Sequence, residues 1–171
     1  MINLTILSTL TPNGEFHLII NQDEVTLASG FGRDDDLKKR LPINNGGYVF
    51  KKIKNHRYIQ AVSDYYFGDF TAINKILYHQ EGSQFQKDVY ENISNIPVGF
   101  TASYLSVAKD SGNSLAVRAV GACCRLNKLI LLVPCHRVIR SDGSIGNYLY
   151  GSGIKRSLLE HEKLTTNTDY R

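Results

Sequence analysis

Residues 129–138 read LILLVPCHRV, and this stretch indicates both a buried element and a reactive side chain. Five uninterrupted aliphatic residues favour a short strand buried on both faces, with a short buried helical segment as the alternative. Pro134 ends the run because proline donates no hydrogen bond to a sheet. We therefore expect the Cys135 thiol at the mouth of a buried element, beside His136 and Arg137. Basic neighbours favour the thiolate, the reactive form of cysteine, so the stretch predicts nucleophilic chemistry.

Length and composition predict an ordered protein of one or two small domains. The chain has 171 residues, 42% of them hydrophobic, and a chain of this length can bury one good core or divide in two. No apolar run approaches the roughly 18 residues of a membrane span. The first five residues also lack the basic region of a signal peptide. We therefore expect a cytoplasmic location and no membrane partner.

The three cysteines predict neither a disulfide framework nor a zinc site. Cys123, Cys124 and Cys135 are odd in number, and no two of them have the C-x-x-C spacing of zinc ligands. Reduced thiols fit a cytoplasmic protein. We expect no bound metal, and we expect Cys123 and Cys124 to belong to the core.

The net charge of +4 is modest, but the second half of the chain is the more basic one. A cluster of basic residues there could form a surface for phosphates, and an ordinary solvated surface would explain it equally well. The cluster consists of Arg118, Arg125, Lys128, Arg137 and Arg140.

Residues 1–79 have the pattern of a small α/β domain with a supporting role. Alternating apolar residues around a turn at 12–14 predict a hairpin, and a further strand is expected at 25–28. Apolar spacing predicts a helix over 53–67. We expect a small antiparallel sheet plus a helix, without a reactive constellation.

Residues 80–171 are predicted to form a second, mainly helical domain. Residues 101–110 and 114–124 favour two helices joined by a tight turn, with Thr101 as the first N-cap. This order is typical of a helix-turn-helix. The second helix is almost entirely small or apolar except for Arg118. It fits a buried core helix, or a helix whose small side chains allow close approach to DNA.

Glu162 lies on the apolar side of the last predicted helix, residues 154–164. It follows Ile154 and Leu158 at spacings of four, which places its carboxylate on the stripe that faces the core. A buried carboxylate is costly without a partner, and His136 is the obvious candidate. A Cys–His–Glu relay is what nucleophilic cysteine chemistry requires. The alternative is an exposed glutamate at a helix end.

Several short segments between residues 84 and 162 follow one another in a characteristic order. They are Phe85-Gln86, Ile96-Pro97-Val98-Gly99, Ser103-Tyr104, Arg118-Ala119-Val120-Gly121, Asn127, Pro134-Cys135-His136-Arg137-Val138-Ile139, Ser141-Asp142-Gly143, Ile145-Gly146, Leu158-Leu159 and His161-Glu162. In these segments the chain resembles the O6-alkylguanine-DNA alkyltransferases, also called methylated-DNA–protein-cysteine methyltransferases. The resemblance implies a ribonuclease-H-like domain at 1–79 and a winged-helix-like domain with the helix-turn-helix at 80–171.

The resemblance implies DNA repair by direct reversal, in a single turnover. The alkyl group of O6-alkylguanine, and of O4-alkylthymine, would pass irreversibly to Cys135. His136 would take the thiol proton through a water, and Glu162 would hold the imidazole. Asn127 would orient the site, and Tyr104 would assist the departing guanine. No cofactor is implied.

The resemblance also implies a partner, double-stranded DNA carrying O6-alkylguanine. The base would be flipped through the minor groove, and the protein would be a monomer in solution that can cluster on DNA. The implied DNA-binding residues are Arg118, which would fill the vacated stack, Ser103, Ala116, Ala119, Gly121 and Arg137. The implied substrate pocket contains Val138, Gly146, Asn147, Tyr148 and Leu149.

Two other functions compete with this one. Alkyltransferase-like proteins bind lesions without repairing them, but they replace the acceptor cysteine that this chain retains at Cys135. A cysteine hydrolase could use Cys135, His136 and Glu162, but it would leave the helix-turn-helix unexplained. Two departures from the family pattern are Lys128, where proline is usual, and the bulky Leu149-Tyr150 in the pocket loop.

Overall fold

The computed structural model describes residues 1–168, with side chains described as far as residue 163. The chain divides into two compact units. The first consists of residues 1–80 and 128–132, and the second of residues 81–127 and the chain from residue 133 onward. None of the described helices is long and apolar enough to cross a membrane.

A four-stranded sheet organises the first unit. Its strands are β1 (Ile2–Thr11), β2 (Gly14–Ile20), β3 (Thr26–Phe31) and β4 (Tyr48–Ile53), in the order β3-β2-β1-β4. β1, β2 and β3 are antiparallel neighbours, as expected, but β4 runs parallel to β1. The expectation of a purely antiparallel sheet is therefore wrong. The connection between β3 and β4 is long enough for the crossover that parallel strands need.

The helices of the first unit are shorter than their sequence pattern indicates. α1 spans Asp34–Lys38 and α2 spans Arg57–Tyr66. The helix predicted over 53–67 begins late because Ile53 still belongs to β4, and because His56 caps α2 by accepting the Tyr58 N–H. One face of the sheet packs on α1 through a buried cluster of Leu4, Ile6, Ile19, Ala28, Leu37 and Leu41.

The aliphatic run at 129–133 is buried as predicted, but it is not a strand. Only Leu129 forms a bridge, to Ser29, and the residues after it form a turn. The Ser29 hydroxyl donates to the Ile130 carbonyl at 2.8 Å. Leu131 has a φ of 67°, which is unfavourable for a branched side chain and incompatible with a strand. Burial of the aliphatic side chains compensates for the irregular backbone.

The second unit is mainly helical, as predicted. α3 spans Gln84–Ser94, β5 Ala102–Ser103, α4 Tyr104–Asp110, α5 Val117–Leu126, β6 Val138–Ile139 and α6 Ser152–Thr168. β5 and β6 pair in parallel. Thr101 is not the N-cap of α4; the Ser103 hydroxyl caps it by accepting the Ser106 N–H at 3.0 Å.

α4 and α5 form the helix-turn-helix pair, and α5 is only partly buried. Val120 and Cys123 face the core, whereas Arg118 and Ala119 are exposed. The core-helix interpretation of this segment is therefore wrong for half of its surface. The exposed residues of α5 are Arg118 and Ala119 near its beginning and Arg125 and Leu126 at its end, with Gly121 and Ala122 half-buried between them.

Candidate active site

Cys135 begins a single 3₁₀ turn, Cys135–Arg137, directly after Pro134. The residue is 3% exposed and lines a cavity of the second unit. The Cys135 N–H donates to the Val133 carbonyl at 2.8 Å, which bends the chain at the proline. The tight turn directs the thiol into the cavity, as the sequence pattern led us to expect.

Asn127 provides the hydrogen bond to the thiol. It follows α5 directly, is fully buried, and its Nδ2 lies 3.2 Å from Cys135 Sγ. The same Nδ2 donates to the Val133 carbonyl at 2.9 Å. An N–H donor stabilises a thiolate more than a thiol. The amide therefore fixes the turn and favours the reactive form of the sulfur.

His136 and Glu162 form a buried pair. His136 Nε2 lies 2.8 Å from Glu162 Oε1, and neither side chain is more than 1% exposed to solvent. A carboxylate only accepts hydrogen bonds, so Nε2 carries the proton and a neutral ring has its lone pair on Nδ1. Nδ1 is buried without a hydrogen-bond partner among the described residues. The ring is thus held in the tautomer that a base needs.

Arg137 is engaged inside the protein rather than on a DNA-binding surface. Its Nε and Nη2 each donate to a Glu162 carboxylate oxygen at 2.9 Å, and its Nη1 donates to the Ile96 carbonyl at 2.7 Å. The expected DNA contact of Arg137 does not fit this buried position. A two-point Arg–carboxylate pair is strong and directional, so Arg137 orients Glu162.

The charges of this cluster follow from its contacts. Burial disfavours the Glu162 carboxylate, but the charges and hydrogen bonds of His136 and Arg137 hold its pKa well below the usual range. Burial lowers the pKa of His136, although Glu162 opposes the shift. We conclude that the resting pair is a neutral imidazole on an ionised carboxylate.

The cavity around the thiol has a volume of about 630 Å³, in the size range of small-molecule sites. Its walls come from α4, α5, the 3₁₀ turn and the loop before α6. They are Tyr104, Val117, Arg118, Gly121, Cys124, Arg125, Cys135, Arg140, Asn147, Tyr148 and Leu149. The cavity therefore combines one nucleophile with aromatic, small and cationic residues.

Tyr104 and Lys155 meet at one wall of this cavity. Burial raises the pKa of Tyr104 to about 12, so its hydroxyl stays protonated at neutral pH and can donate. Lys155 Nζ lies 3.5 Å from that hydroxyl. The ammonium also donates to the carbonyls of Val138 at 2.6 Å and Asn147 at 3.3 Å. Lys155 therefore joins β6, the pocket loop and Tyr104.

The other sequence-predicted residues divide into three groups. Gly121, Asn147, Tyr148 and Leu149 line the cavity with Arg118. Ser103 and Ala116 are half-buried at the starts of α4 and α5, and Ala119 is exposed. Val138 and Gly146 do not line this cavity, in contrast to the prediction. The Val138 side chain is fully buried, and Gly146 has a left-handed φ of 72° beside Tyr104.

The sequence did not predict that Lys155, Cys124, Arg125 and Arg140 belong to the site; it indicated only a core position for Cys124 and a basic cluster that includes Arg125 and Arg140. Lys155 was detectable: it lies three residues before Leu158 and seven before Glu162, on the same stripe of α6. Because lysine is rarely buried, a lysine on this stripe does not by itself indicate a position inside the protein. The other three line the cavity through folding of the chain, which no local pattern reveals.

Asn127→Ala is expected to slow alkylation of Cys135 about 10- to 100-fold, because a hydrogen bond to a charged group is lost. The measurement is the second-order rate constant of Cys135 with a small alkylating reagent such as iodoacetamide. Asn92→Ala removes an amide hydrogen bond to Ser111 in the same unit and serves as the matched control. Equal rates for Asn127→Ala and the control would contradict a role for the amide at sulfur.

Acid is expected to destabilise the protein through the buried pair. The Glu162 pKa is depressed by folding, so its stabilisation is complete above the unfolded value of about 4.3 and is lost as pH falls below it. The lowered pKa of His136 acts in the same direction below about 6.5. Denaturant unfolding between about pH 7 and pH 3.5 should show a falling free energy. Glu162→Gln should move the fall toward higher pH, because the carboxylate contribution is lost and the His136 pKa, no longer raised by Glu162, is lowered further; an unchanged profile would refute the assignment.

Comparison with known proteins finds similarity to proteins that are named as DNA methyltransferases. A family model for the DNA-binding domain of 6-O-methylguanine DNA methyltransferase matches residues 84–164. A probable methylated-DNA–protein-cysteine methyltransferase of Acanthamoeba polyphaga mimivirus is 38% identical over 121 residues, covering 68% of this chain and 76% of that protein.

Another relative is matched over only part of its length. The bifunctional transcriptional activator/DNA repair enzyme Ada of Escherichia coli is 43% identical over 81 residues, and the match covers 47% of this chain but only 23% of Ada. Among solved structures, Mycobacterium tuberculosis OGT in complex with DNA matches with a TM-score of 0.77 and 26% identity over 94% of each chain. The mixed α/β fold, with its small sheet and its helices, is thus shared with that protein.

Proposed function

Because the chain belongs to the methylated-DNA–protein-cysteine methyltransferase family, we propose that it repairs alkylated DNA by direct reversal. The alkyl group on O6 of guanine moves to the Cys135 sulfur, and the intact base remains in the DNA. One observation carries this proposal: a buried thiol, held by Asn127, faces a cavity next to the His136–Glu162 pair.

The reaction is a displacement at the alkyl carbon. The thiol proton passes to the His136 imidazole, whose positive charge Glu162 stabilises. Cys135 Sγ then forms a bond to the alkyl carbon while the bond between that carbon and O6 breaks. The Tyr104 hydroxyl donates a hydrogen bond to the departing guanine anion, which takes up one proton from water, and the His136 imidazolium returns the thiol proton to water. Bonds and protons balance in this reaction without a cofactor.

The product explains why one protein molecule reacts once. A thioether has no hydrolysable acyl or ester bond, and burial raises the pKa of Cys124, the other thiol that lines the cavity, which keeps it protonated. The protein is consumed stoichiometrically. The same chemistry applies to O4-alkylthymine, which presents an alkyl group on an equivalent ring oxygen.

The base must leave the duplex to reach the thiol. Extrusion costs a few kcal/mol and is cheapest at a damaged pair. The small residues of α5, the exposed Ala119 and the half-buried Gly121, permit close approach to the minor groove, and Arg118 in the cavity wall can occupy the vacated space in the stack. We propose that a monomer performs this step and that several monomers can cluster on one duplex.

The finer fold assignments remain part of this proposal. The four-stranded mixed sheet with its helix supports a ribonuclease-H-like first unit. The α4–α5 pair with the short β5–β6 ladder supports a winged-helix-like second unit.

Intact mass measurement separates the competing functions. The protein is incubated with a duplex that contains one O6-methylguanine, and with the same duplex undamaged. We expect a gain of one methyl group from the damaged duplex only, with a yield of one per protein molecule. Tight binding without a mass gain would support a lesion sensor. Repeated turnover without a mass gain would support a hydrolase and refute alkyl transfer.

A further inference from the structure

A second cavity adjoins the candidate active site. It has a volume of about 310 Å³ and shares Arg140 and Asn147 with the walls of the thiol cavity. Its lining consists of the turn after β6, the beginning of the pocket loop and one residue of α6. The residues are Arg140, Gly143, Ser144, Ile145, Gly146, Asn147 and Arg156.

A closed turn fixes Arg140 at this cavity. The Arg140 N–H donates to the Ser144 carbonyl at 2.9 Å, and the Gly143 N–H donates back to the Arg140 carbonyl at 3.0 Å. Gly143 has a φ of 85°, which glycine tolerates without strain. A β-carbon at Gly146 would lie 3.5 Å from Arg140 Cγ, so the arginine stem runs close along the loop backbone.

Two arginines and no carboxylate line this cavity, so its walls are positively charged. No hydrogen bond or ion pair joins the Arg140 or Arg156 guanidinium to any described residue. The nearby Asp142 accepts the Ser144 N–H at 2.9 Å and the Ser144 hydroxyl at 2.7 Å through its Oδ1, and its charge attracts Arg140 without forming an ion pair with it. Two guanidinium forks on separate elements therefore face one polar space.

Phosphate is the chemical group that fits two free guanidinium groups. The guanidinium fork matches the oxygens of a phosphate and binds them in pairs, whereas a carboxylate offers only two oxygens for two forks. A nucleotide in the thiol cavity remains joined to the phosphates on either side of it. The part of the rim formed by Arg140, which also lines the second cavity, offers such a phosphate a cationic position.

We propose that Arg140 and Arg156 bind a backbone phosphate next to the flipped nucleotide. The inference rests on the proposed function and adds a phosphate subsite to it. This subsite contacts the strand that carries the lesion and holds the strand while the base is out of the stack. Its contribution is independent of base sequence.

The test pairs a protein variant with a DNA substitution. Arg156→Gln removes the guanidinium that lines only the second cavity. In the DNA, each phosphate flanking O6-methylguanine is replaced in turn by an uncharged methylphosphonate. The measurement is the second-order rate constant of Cys135 methylation for all protein and DNA combinations. Arg33→Gln, which removes an exposed guanidinium from the first unit, is the control.

We expect each single change to lower the rate constant about tenfold, the size of one charge-assisted hydrogen bond. With the methylphosphonate at one particular flanking position, Arg156→Gln should cause no further loss, because both changes remove the same contact. Arg156→Lys should recover part of the loss. The Arg33→Gln effect should be independent of the methylphosphonate at both positions.

Two results would overturn the subsite. One is independent effects of Arg156→Gln and the methylphosphonate at both flanking positions. The other is that the same independent effects on the rate constant occur and that the free protein binds inorganic phosphate at constant ionic strength, with this binding lost in Arg156→Gln. This second result would assign the cavity to a free anion. No methylation of the wild-type protein by any duplex would instead refute the proposed function.

Discussion

Cys135→Ala is expected to abolish methyl transfer completely while binding of the damaged duplex persists. The variant removes only the sulfur and leaves the cavity walls and the exposed face of α5 in place. Neither of the other two cysteines has surroundings that favour its thiolate. Burial raises the pKa of Cys124 above its usual value, which keeps this second cavity cysteine protonated and unreactive.

The two halves of this expectation are measured separately. Intact mass after long incubation reports transfer, and fluorescence anisotropy with a labelled duplex reports binding. Cys124→Ala is the matched control, since it removes the other thiol that lines the cavity and should leave transfer intact. Residual methylation of the Cys135→Ala protein would show that the acceptor has been misassigned.

Glu162→Ala is expected to lower the free energy of unfolding by about 3–5 kcal/mol, the cost of leaving a buried charge unpaired. Glu162 is fully buried and receives hydrogen bonds from His136 and from two nitrogens of Arg137. Its removal leaves the Arg137 guanidinium without a counter-charge in the core. Denaturant titration at neutral pH measures the loss.

Glu160→Ala is the matched control for that experiment, because Glu160 is exposed on the same helix. Its effect should stay within about 0.5 kcal/mol, as for other surface substitutions. Glu162→Gln preserves the shape but removes the charge, and we expect it to fold more stably than Glu162→Ala and to alkylate slowly. Equal stability of Glu160→Ala and Glu162→Ala would contradict the buried cluster.

Much of the active site could be predicted from the sequence because its residues lie in strong local patterns. The proline before Cys135 indicated an abrupt turn, and the spacing of Ile154, Leu158 and Glu162 placed a carboxylate in the core. The structure shows both features. The partner of Glu162 could be inferred because a buried carboxylate needs a donor, and His136 is the histidine next to the nucleophile.

The errors arose where tertiary contacts decide the outcome. Five aliphatic residues indicate burial but not backbone conformation, so the run at 129–133 was predicted as a strand although it forms a turn. Arg137 was assigned to DNA from its charge, but Glu162 binds its guanidinium internally. Lys155 was overlooked because a buried lysine is rare, and its three oxygen partners come from distant parts of the chain.

The location of the transferred methyl group tests the central claim most directly. Trypsin separates the cysteines, because cleavage after Lys128 and Arg137 releases residues 129–137, whereas Cys123 and Cys124 fall together in residues 119–125. After reaction with excess O6-methylguanine duplex, we predict one methyl group per protein molecule, found entirely in the peptide with Cys135. Methylation in the 119–125 peptide, or more than one methyl group per molecule, would contradict the account.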